Sequence, residues 1–133
     1  ARLWDVRTGK MVRVFVGHEG DVNACEFFPD GNAFATGGDD RTARLWDLRA
    51  DRELVRYAHP DQVAGVTSIA FSRSGRLLFT GLDDSNVAVW DVLRGERAAI
   101  IAAHGERVTS VAVSPDGNAL ATASWDKLVK IWN

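Results

Sequence analysis

Short runs of apolar and polar residues alternate along the chain and are separated by turn-forming residues. Residues 22–28 read Val-Asn-Ala-Cys-Glu-Phe-Phe and lead into Pro-Asp-Gly at 29–31. Asn-Ala-Phe-Ala-Thr follows at 32–36 and, after a turn rich in Gly and Asp, Thr-Ala-Arg-Leu-Trp occupies 42–46. Because these runs are short, rich in β-branched and aromatic residues, and bounded by Gly, Pro and Asp, they predict β-strands.

The pattern repeats along the sequence. Tryptophan occurs at positions 4, 46, 90 and 132, at spacings of 42, 44 and 42, and Asp or Asn follows it each time. Stacking the repeats brings further polar residues into columns. The columns contain Trp4, Trp46, Trp90 and Trp132; His18, His59 and His104; Thr36, Thr80 and Thr122; and Asp40, Asp84 and Asp126. Thr to Asp is always four residues and Asp to Trp always six.

Repeats of roughly 40 to 45 residues with four antiparallel strands and a His-to-Trp-Asp frame are the signature of WD-repeat β-propeller blades. The predicted fold is therefore all-β, a propeller segment of about three four-stranded antiparallel blades. With strands named a to d, residues 1–16 supply c and d of a partial blade. Residues 17–57 and 58–102 are blade repeats, and residues 103–133 form a last repeat that lacks strand d.

The missing strand leaves the last strand c with unpaired N–H and C=O groups. We therefore expect the chain to be part of a larger ring, and the isolated chain to self-associate through its open strand edges.

The repeated His, Thr and Asp have two interpretations. Together they could form a hydrolytic triad of nucleophile, base and orienting group. An enzyme needs one such site, however, whereas this set occurs three times in register. Each set also accompanies a Trp whose indole N–H needs a buried acceptor. We therefore expect structural hydrogen-bonded tetrads and no catalytic residues. They comprise His18, Thr36, Asp40 and Trp46; His59, Thr80, Asp84 and Trp90; and His104, Thr122, Asp126 and Trp132.

Composition narrows the classes of partner. The chain contains sixteen Lys and Arg and eighteen Asp and Glu, which gives a net charge of -2. It lacks the excess of basic residues that binding to nucleic acid favours, so nucleic acid is not expected as a partner. The apolar run at 98–103 is far shorter than the roughly 20 residues that span a bilayer, so no membrane insertion is expected. Cys25 is the single cysteine, which excludes an internal disulfide and Cys-pair zinc sites and fits a reducing intracellular compartment. We expect no metal and no cofactor.

One turn column points to function. The residues immediately before the structural Asp are Asp39, Asp83 and Trp125. Two are ordinary solvated carboxylates, but an exposed aromatic ring is typical of an interface anchor. A contact role for Trp125 is therefore favoured over simple packing against a neighbouring loop. That column lies in the turns between strands b and c, whereas the turns between a and b and between c and d face the other way. Turn formation alone explains most residues of those other turns, although their arginines could bind an acidic partner.

Four segments match something narrower than the repeat class. They are Phe-Phe-Pro-Asp-Gly-Asn-Ala-Phe-Ala-Thr-Gly at 27–37, Asp-Leu-Arg-Ala-Asp-Arg-Glu-Leu at 47–54, Ser-Gly-Arg-Leu-Leu-Phe at 74–79 and Ser-Trp-Asp-Lys-Leu-Val-Lys-Ile-Trp-Asn at 124–133. Blade geometry does not require motifs such as Asp-Leu-Arg-Ala-Asp. The chain resembles the C-terminal part of the β subunit of heterotrimeric G proteins.

The resemblance implies a seven-bladed ring, incomplete here, without enzymatic activity. It implies a scaffold for transmembrane-receptor signalling that binds a GDP-bound α subunit and effectors through one face and a γ subunit through the other. The lipidated partner would place it in the cytoplasm at the inner face of the plasma membrane. The implied α-subunit and effector positions are Asp21, Asn23, Asp39, Asp83, Arg107 and Trp125. The implied γ-subunit positions are Phe28, Pro29, Arg49, Asp51, Arg73 and Arg76. A general WD-repeat adaptor of another complex is the alternative, and a hydrolase is a remote third.

Overall fold

The computed structural model describes residues 1–133 and consists of thirteen β-strands joined by turns and loops. The strands are β1 Arg2–Trp4, β2 Met11–Val14, β3 Val22–Phe27, β4 Ala33–Gly38, β5 Ala43–Asp47, β6 Arg52–Tyr57, β7 Val66–Phe71, β8 Leu77–Leu82, β9 Val87–Asp91, β10 Arg97–Ile101, β11 Val108–Val113, β12 Leu120–Ser124 and β13 Val129–Trp132. This confirms the predicted all-β class. The structure contains no helix that could cross a membrane.

The strands form four antiparallel sheets in chain order. β3 to β6 and β7 to β10 make two four-stranded sheets, while β1 and β2 make a two-stranded sheet and β11 to β13 a three-stranded one. Each strand pairs with its neighbour in sequence because short turns can join only antiparallel strands. β1 pairs only with β2, and β13 only with β12. β1 and β13 are therefore edge strands with one side unpaired, as are the outer strands of the two four-stranded sheets.

The turns repeat as regularly as the strands. Gly31, Gly75 and Gly117 have φ angles of 78°, 76° and 78°, at equivalent points of the turns between the first two strands of the three larger sheets. Glycine adopts this left-handed conformation without steric cost. In the next turn of each of these three sheets, one residue with a side chain takes positive φ: Arg41, Ser85 and Lys127. The same three turns carry Asp39, Asp83 and Trp125.

The core lies between neighbouring sheets. One cluster, which includes Leu45, Tyr57, Val66 and Leu78, fills the space between the two four-stranded sheets. A second cluster around Val87, Val108 and Val111 joins β7–β10 to the last sheet. The sheets approach closely: a Cβ on Gly37 would lie 2.3 Å from Val66 Cγ1, a distance that real atoms do not reach. The fold therefore holds its surface turns at fixed separations.

Candidate protein-interaction face

In the β3–β6 sheet, a series of side-chain hydrogen bonds links Trp46 to Asp40, the residue next to Asp39 in the β4–β5 turn. Trp46 Nε1–H donates to Thr36 Oγ1 over 2.9 Å, and Thr36 Oγ1 lies 2.6 Å from His18 Nε2. His18 Nδ1 lies 2.9 Å from Asp40 Oδ2. Since a neutral imidazole has one donor and one acceptor, the threonine hydroxyl donates to Nε2 and Nδ1–H donates to the carboxylate. Every polar group in this buried series therefore has a partner.

The last sheet repeats this arrangement. Trp132 Nε1–H donates to Thr122 Oγ1 over 3.0 Å, and Thr122 Oγ1 is 2.8 Å from His104 Nε2. His104 Nδ1 is 2.8 Å from Asp126 Oδ2. These hydrogen bonds connect strands β12 and β13 to the loop that precedes β11. They therefore fix the position of the turn that carries Asp126.

The middle sheet differs, and two predicted tetrad residues are corrected. Trp90 Nε1–H donates to Thr80 Oγ1 over 3.0 Å, but neither His59 nor Asp84 joins them. His59 Nδ1 accepts the backbone N–H of Asp61, and exposed Asp84 accepts only the N–H of Asn86. The reason is spacing: His precedes Thr by eighteen residues in the two complete tetrads and by twenty-one here.

Gln62 occupies the place of the missing histidine, eighteen residues before Thr80. Sequence reasoning missed this residue, although the constant Thr-to-His spacing of the other two repeats was the signal that could have found it. Buried Arg44 was also missed. Its Nη2 lies 3.1 Å from Asp40 Oδ2 and its Nη1 3.1 Å from Glu53 Oε1. The equivalent positions of the other repeats hold Ala88 and Lys130, so the sequence has no repeated arginine that would have identified Arg44.

The tetrad of the β3–β6 sheet shifts the pKa values of His18 and Asp40. Burial lowers the pKa of His18 below 6.5, against the opposing effect of its bond to Asp40. Burial alone would raise the pKa of Asp40, but donation by the Glu19 backbone, Thr42 and His18 outweighs it and lowers the pKa to about 2. At neutral pH, Asp40 is therefore a carboxylate and His18 is neutral.

The burial of the three tetrad threonines excludes the hypothesis that they are nucleophiles of a hydrolase. Thr36, Thr80 and Thr122 have exposed fractions of 0%, 0% and 1%. Each hydroxyl oxygen accepts an indole N–H, so none is accessible or free to attack a substrate. These residues have the composition of a catalytic triad, but their hydrogen bonds stabilise the fold.

The binding face begins with three polar residues of the β3–β6 sheet. Asn23 Nδ2 donates to Asp39 Oδ1 over 2.7 Å and to the carbonyl of Val66 over 3.1 Å. The backbone N–H of Asp39 donates to the carbonyl of Asp21 over 2.8 Å. Asp21, Asn23 and Asp39 are all exposed. The structure thus brings these three predicted positions together.

The other three predicted positions form a second group. Arg107 Nη1 lies 3.2 Å from Asp83 Oδ1, and its guanidinium carbon lies 5.1 Å from the centre of the Trp125 ring. The Trp125 N–H donates to the carbonyl of Arg107 over 3.0 Å. Trp125 is 62% exposed, and Arg107 covers one side of its ring. A cation above the ring restricts it at little energetic cost.

The residues implied for the opposite face are less connected. Phe28 packs edge-on against Phe71, with ring centroids 5.2 Å apart. Asp51 pairs with Arg13 over 2.9 Å. The remaining predicted positions, Pro29, Arg49, Arg73 and Arg76, are exposed. No hydrogen bond or ion pair joins one of the six to another, so this face presents separate side chains rather than a prearranged cluster.

Comparison with known proteins connects this architecture to a family. The family model for the G protein beta WD-40 repeat protein matches residues 1–133. Guanine nucleotide-binding protein subunit beta-5b of Danio rerio is 50% identical to the chain, with 98% of the chain and 44% of the relative covered. The subunit beta of Arabidopsis thaliana is 51% identical, with 99% and 37% covered. That of Oryza sativa subsp. indica is 47% identical, with 98% and 37% covered.

The chain spans 37% to 44% of the length of these relatives, so the similarity covers nearly all of this chain but less than half of each relative. The family is non-catalytic, in agreement with the buried threonines. The match over the whole chain, together with the repeated antiparallel sheets and their Trp–Thr bonds, shows that this chain belongs to the G protein β family of WD-40 repeat proteins.

Proposed function

We propose that this chain is a non-catalytic interaction scaffold that binds a GDP-bound G-protein α subunit, and effectors in its place, through the face of Asp21, Asn23, Asp39, Asp83, Arg107 and Trp125. The observation that carries this proposal is the exposed Trp125 ring held by Arg107, which Asp83 holds in turn. An aromatic anchor with charged neighbours is the usual centre of a protein interface.

Competition for one surface would supply the regulation. The α subunit and effectors would need the same exposed anchor, so only one could occupy it at a time. The nucleotide bound to the α subunit would then decide the occupant, because only its GDP form binds this face. This is a coupling between two binding equilibria and requires no conformational change in the β-type scaffold.

The opposite face, with Phe28, Pro29, Arg49, Asp51, Arg73 and Arg76, is proposed to contact a γ subunit. A lipidated γ subunit would attach the complex to the inner face of the plasma membrane. One covalent lipid gives marginal membrane binding, so attachment through a partner would stay reversible.

The test is a pulldown against a GDP-loaded α subunit with the wild-type chain and Trp125→Ala. Loss of a hot-spot aromatic typically costs about 2 kcal/mol or more, so we expect at least a roughly thirtyfold weaker Kd. The matched control is Leu93→Ala, which removes an 89% exposed apolar side chain in the β9–β10 turn on the opposite face. Absence of binding by wild type contradicts the α-subunit assignment, and equal binding by all three proteins contradicts the placement of the anchor.

A further inference from the structure

Gln62 lies where the other repeats place the tetrad histidine. Three backbone bonds fix this register, because the residue three positions later accepts an N–H from the adjacent turn in every repeat. These bonds are Asp39 N to Asp21 O, Asp83 N to Gly65 O, and Trp125 N to Arg107 O. Gln62 stands three residues before Gly65, as His18 does before Asp21. Its backbone is therefore in the tetrad position.

The side chain of Gln62 makes different contacts from those of a tetrad histidine. It is buried and donates from Nε2 to the carbonyl of Arg41 over 3.0 Å and to that of Ala64 over 3.3 Å. Neither Thr80 nor Asp84 receives a bond from it. The tetrad histidines bond within their own sheet, whereas Gln62 bonds to a turn of the preceding sheet.

The two carbonyl groups that bind Gln62 belong to segments that carry or contact Asp39 and Asp83. Arg41 is in the β4–β5 turn that carries Asp39. Gly65 packs against Asp39 so closely that a Cβ on it would lie 3.2 Å from Asp39 Oδ1. The carbonyl of Gly65 accepts the N–H of Asp83 over 3.0 Å. The β6–β7 loop thus contacts both the turn that carries Asp39 and the turn that carries Asp83. The hydrogen bond from Gln62 to Arg41 attaches this loop to the Asp39 turn.

Between the β7–β10 sheet and the last sheet, a backbone hydrogen bond replaces the side-chain hydrogen bond of Gln62. There the backbone N–H of His104 donates to the carbonyl of Ser85 over 3.1 Å. Ser85 and Arg41 are equivalent turn residues with φ of 85° and 70°. Gln62 Oε1 is buried without a partner, which disfavours the folded state. The glutamine is therefore better explained by the contact it makes to Arg41 than by a gain in stability.

We propose that Gln62 is a positioning residue of the binding face, which sets the separation of Asp39 and Asp83 by locking the β6–β7 loop onto the β4–β5 turn. The positioning role stands on geometry alone, and its effect on recognition rests on the proposed function.

The experiment is amide hydrogen exchange, followed by NMR, on the wild-type chain and Gln62→Met, which keeps the size of the side chain but removes its donors. We expect the amides of Gly38, Arg41 and Asp83 to exchange roughly three- to tenfold faster. The amides of Trp125 and Lys127, in the equivalent turn of the last sheet, should not change, nor should those of the core strands apart from Gly38 at the end of β4. Gln62→Asn, whose shorter amide cannot reach Arg41, should give the same local result. Val63→Ala, at a 71% exposed neighbour, should give none.

Unchanged exchange at all three amides in both variants overturns the proposal, and so does an equal increase in the core strands, which indicates a general loss of stability. The Kd for a GDP-loaded α subunit separates the two hypotheses. If wild type binds, Gln62→Met should bind roughly three- to tenfold more weakly. If wild type does not bind, the proposed function fails, while the exchange result still decides the role of Gln62.

Discussion

Asp40 and Asp84 occupy the same column of the repeat but have different environments. The side chain of Asp40 is 8% exposed and lies 2.9 Å from His18 Nδ1 and 3.1 Å from Arg44 Nη2. Asp84 is exposed and accepts one N–H from its own turn. At residue scale, a column therefore identifies the position in the fold, and the neighbours decide what the residue contributes there.

Replacing each aspartate by alanine tests this difference. Asp40→Ala leaves His18 Nδ1 and Arg44 Nη2 without their acceptor, so the free energy of unfolding should fall by about 1–3 kcal/mol. Asp84→Ala removes one exposed turn bond and should cost about 0.5 kcal/mol or less. Urea denaturation followed by tryptophan fluorescence, at equal protein concentration, measures both. Equal losses in the two variants would contradict the corrected assignment of the middle sheet.

Part of this site could be predicted from sequence. Thr36, Thr80 and Thr122 each bond the Trp ten residues later, because the intervening turn and strand have constant length. The histidine column failed at His59, since loop lengths between sheets vary and only the spacing to Thr fixes the register. The ion pair between Arg107 and Asp83 depends on how two sheets pack, which no local pattern contains.

At the scale of elements, the strands follow their predicted runs closely. The run at 22–28 becomes Val22–Phe27, that at 32–36 becomes Ala33–Gly38, and that at 42–46 becomes Ala43–Asp47. Turn residues made these strands predictable. The distance between sheets was not, because it depends on side chains from strands far apart in the sequence. Gly37 and Gly81, which face Val66 and Val108, allow the close approach.

Gly37→Ala should therefore disturb the packing of two sheets rather than one strand. A methyl group 2.3 Å from Val66 Cγ1 must displace Val66, and overpacking of this kind costs about 1–3 kcal/mol of the free energy of unfolding. Gly105→Ala is the matched control, because a Cβ there meets nothing within 4 Å. Urea denaturation of both variants provides the comparison. A Gly37→Ala variant as stable as wild type would show that the sheets are not held at this separation.

At the scale of the whole molecule, the two ends expose different apolar surfaces. The last sheet presents Val129 and Ile131, which are 70% and 65% exposed, beside the unpaired edge of β13. At the other end, a groove of about 780 Å³ between β1 and β3 is lined mainly by apolar side chains, including Trp4 and Phe27. Different surfaces at opposite ends favour head-to-tail association, which closes into a ring or continues as a filament.

We therefore expect the 133-residue chain by itself to self-associate, because both edge strands can pair and both apolar ends can be buried. Multi-angle light scattering should give a mass above the monomer value of 14.5 kDa that increases with concentration. Ile131→Lys places a charge on the exposed face of β13 and should shift the equilibrium toward monomer. Leu93→Lys, at an exposed turn position away from both ends, should leave it unchanged. A single monomeric species of wild type with a cooperative melt would show that the open edges do not drive association. Equal association of wild type and Ile131→Lys would place the contact elsewhere than β13.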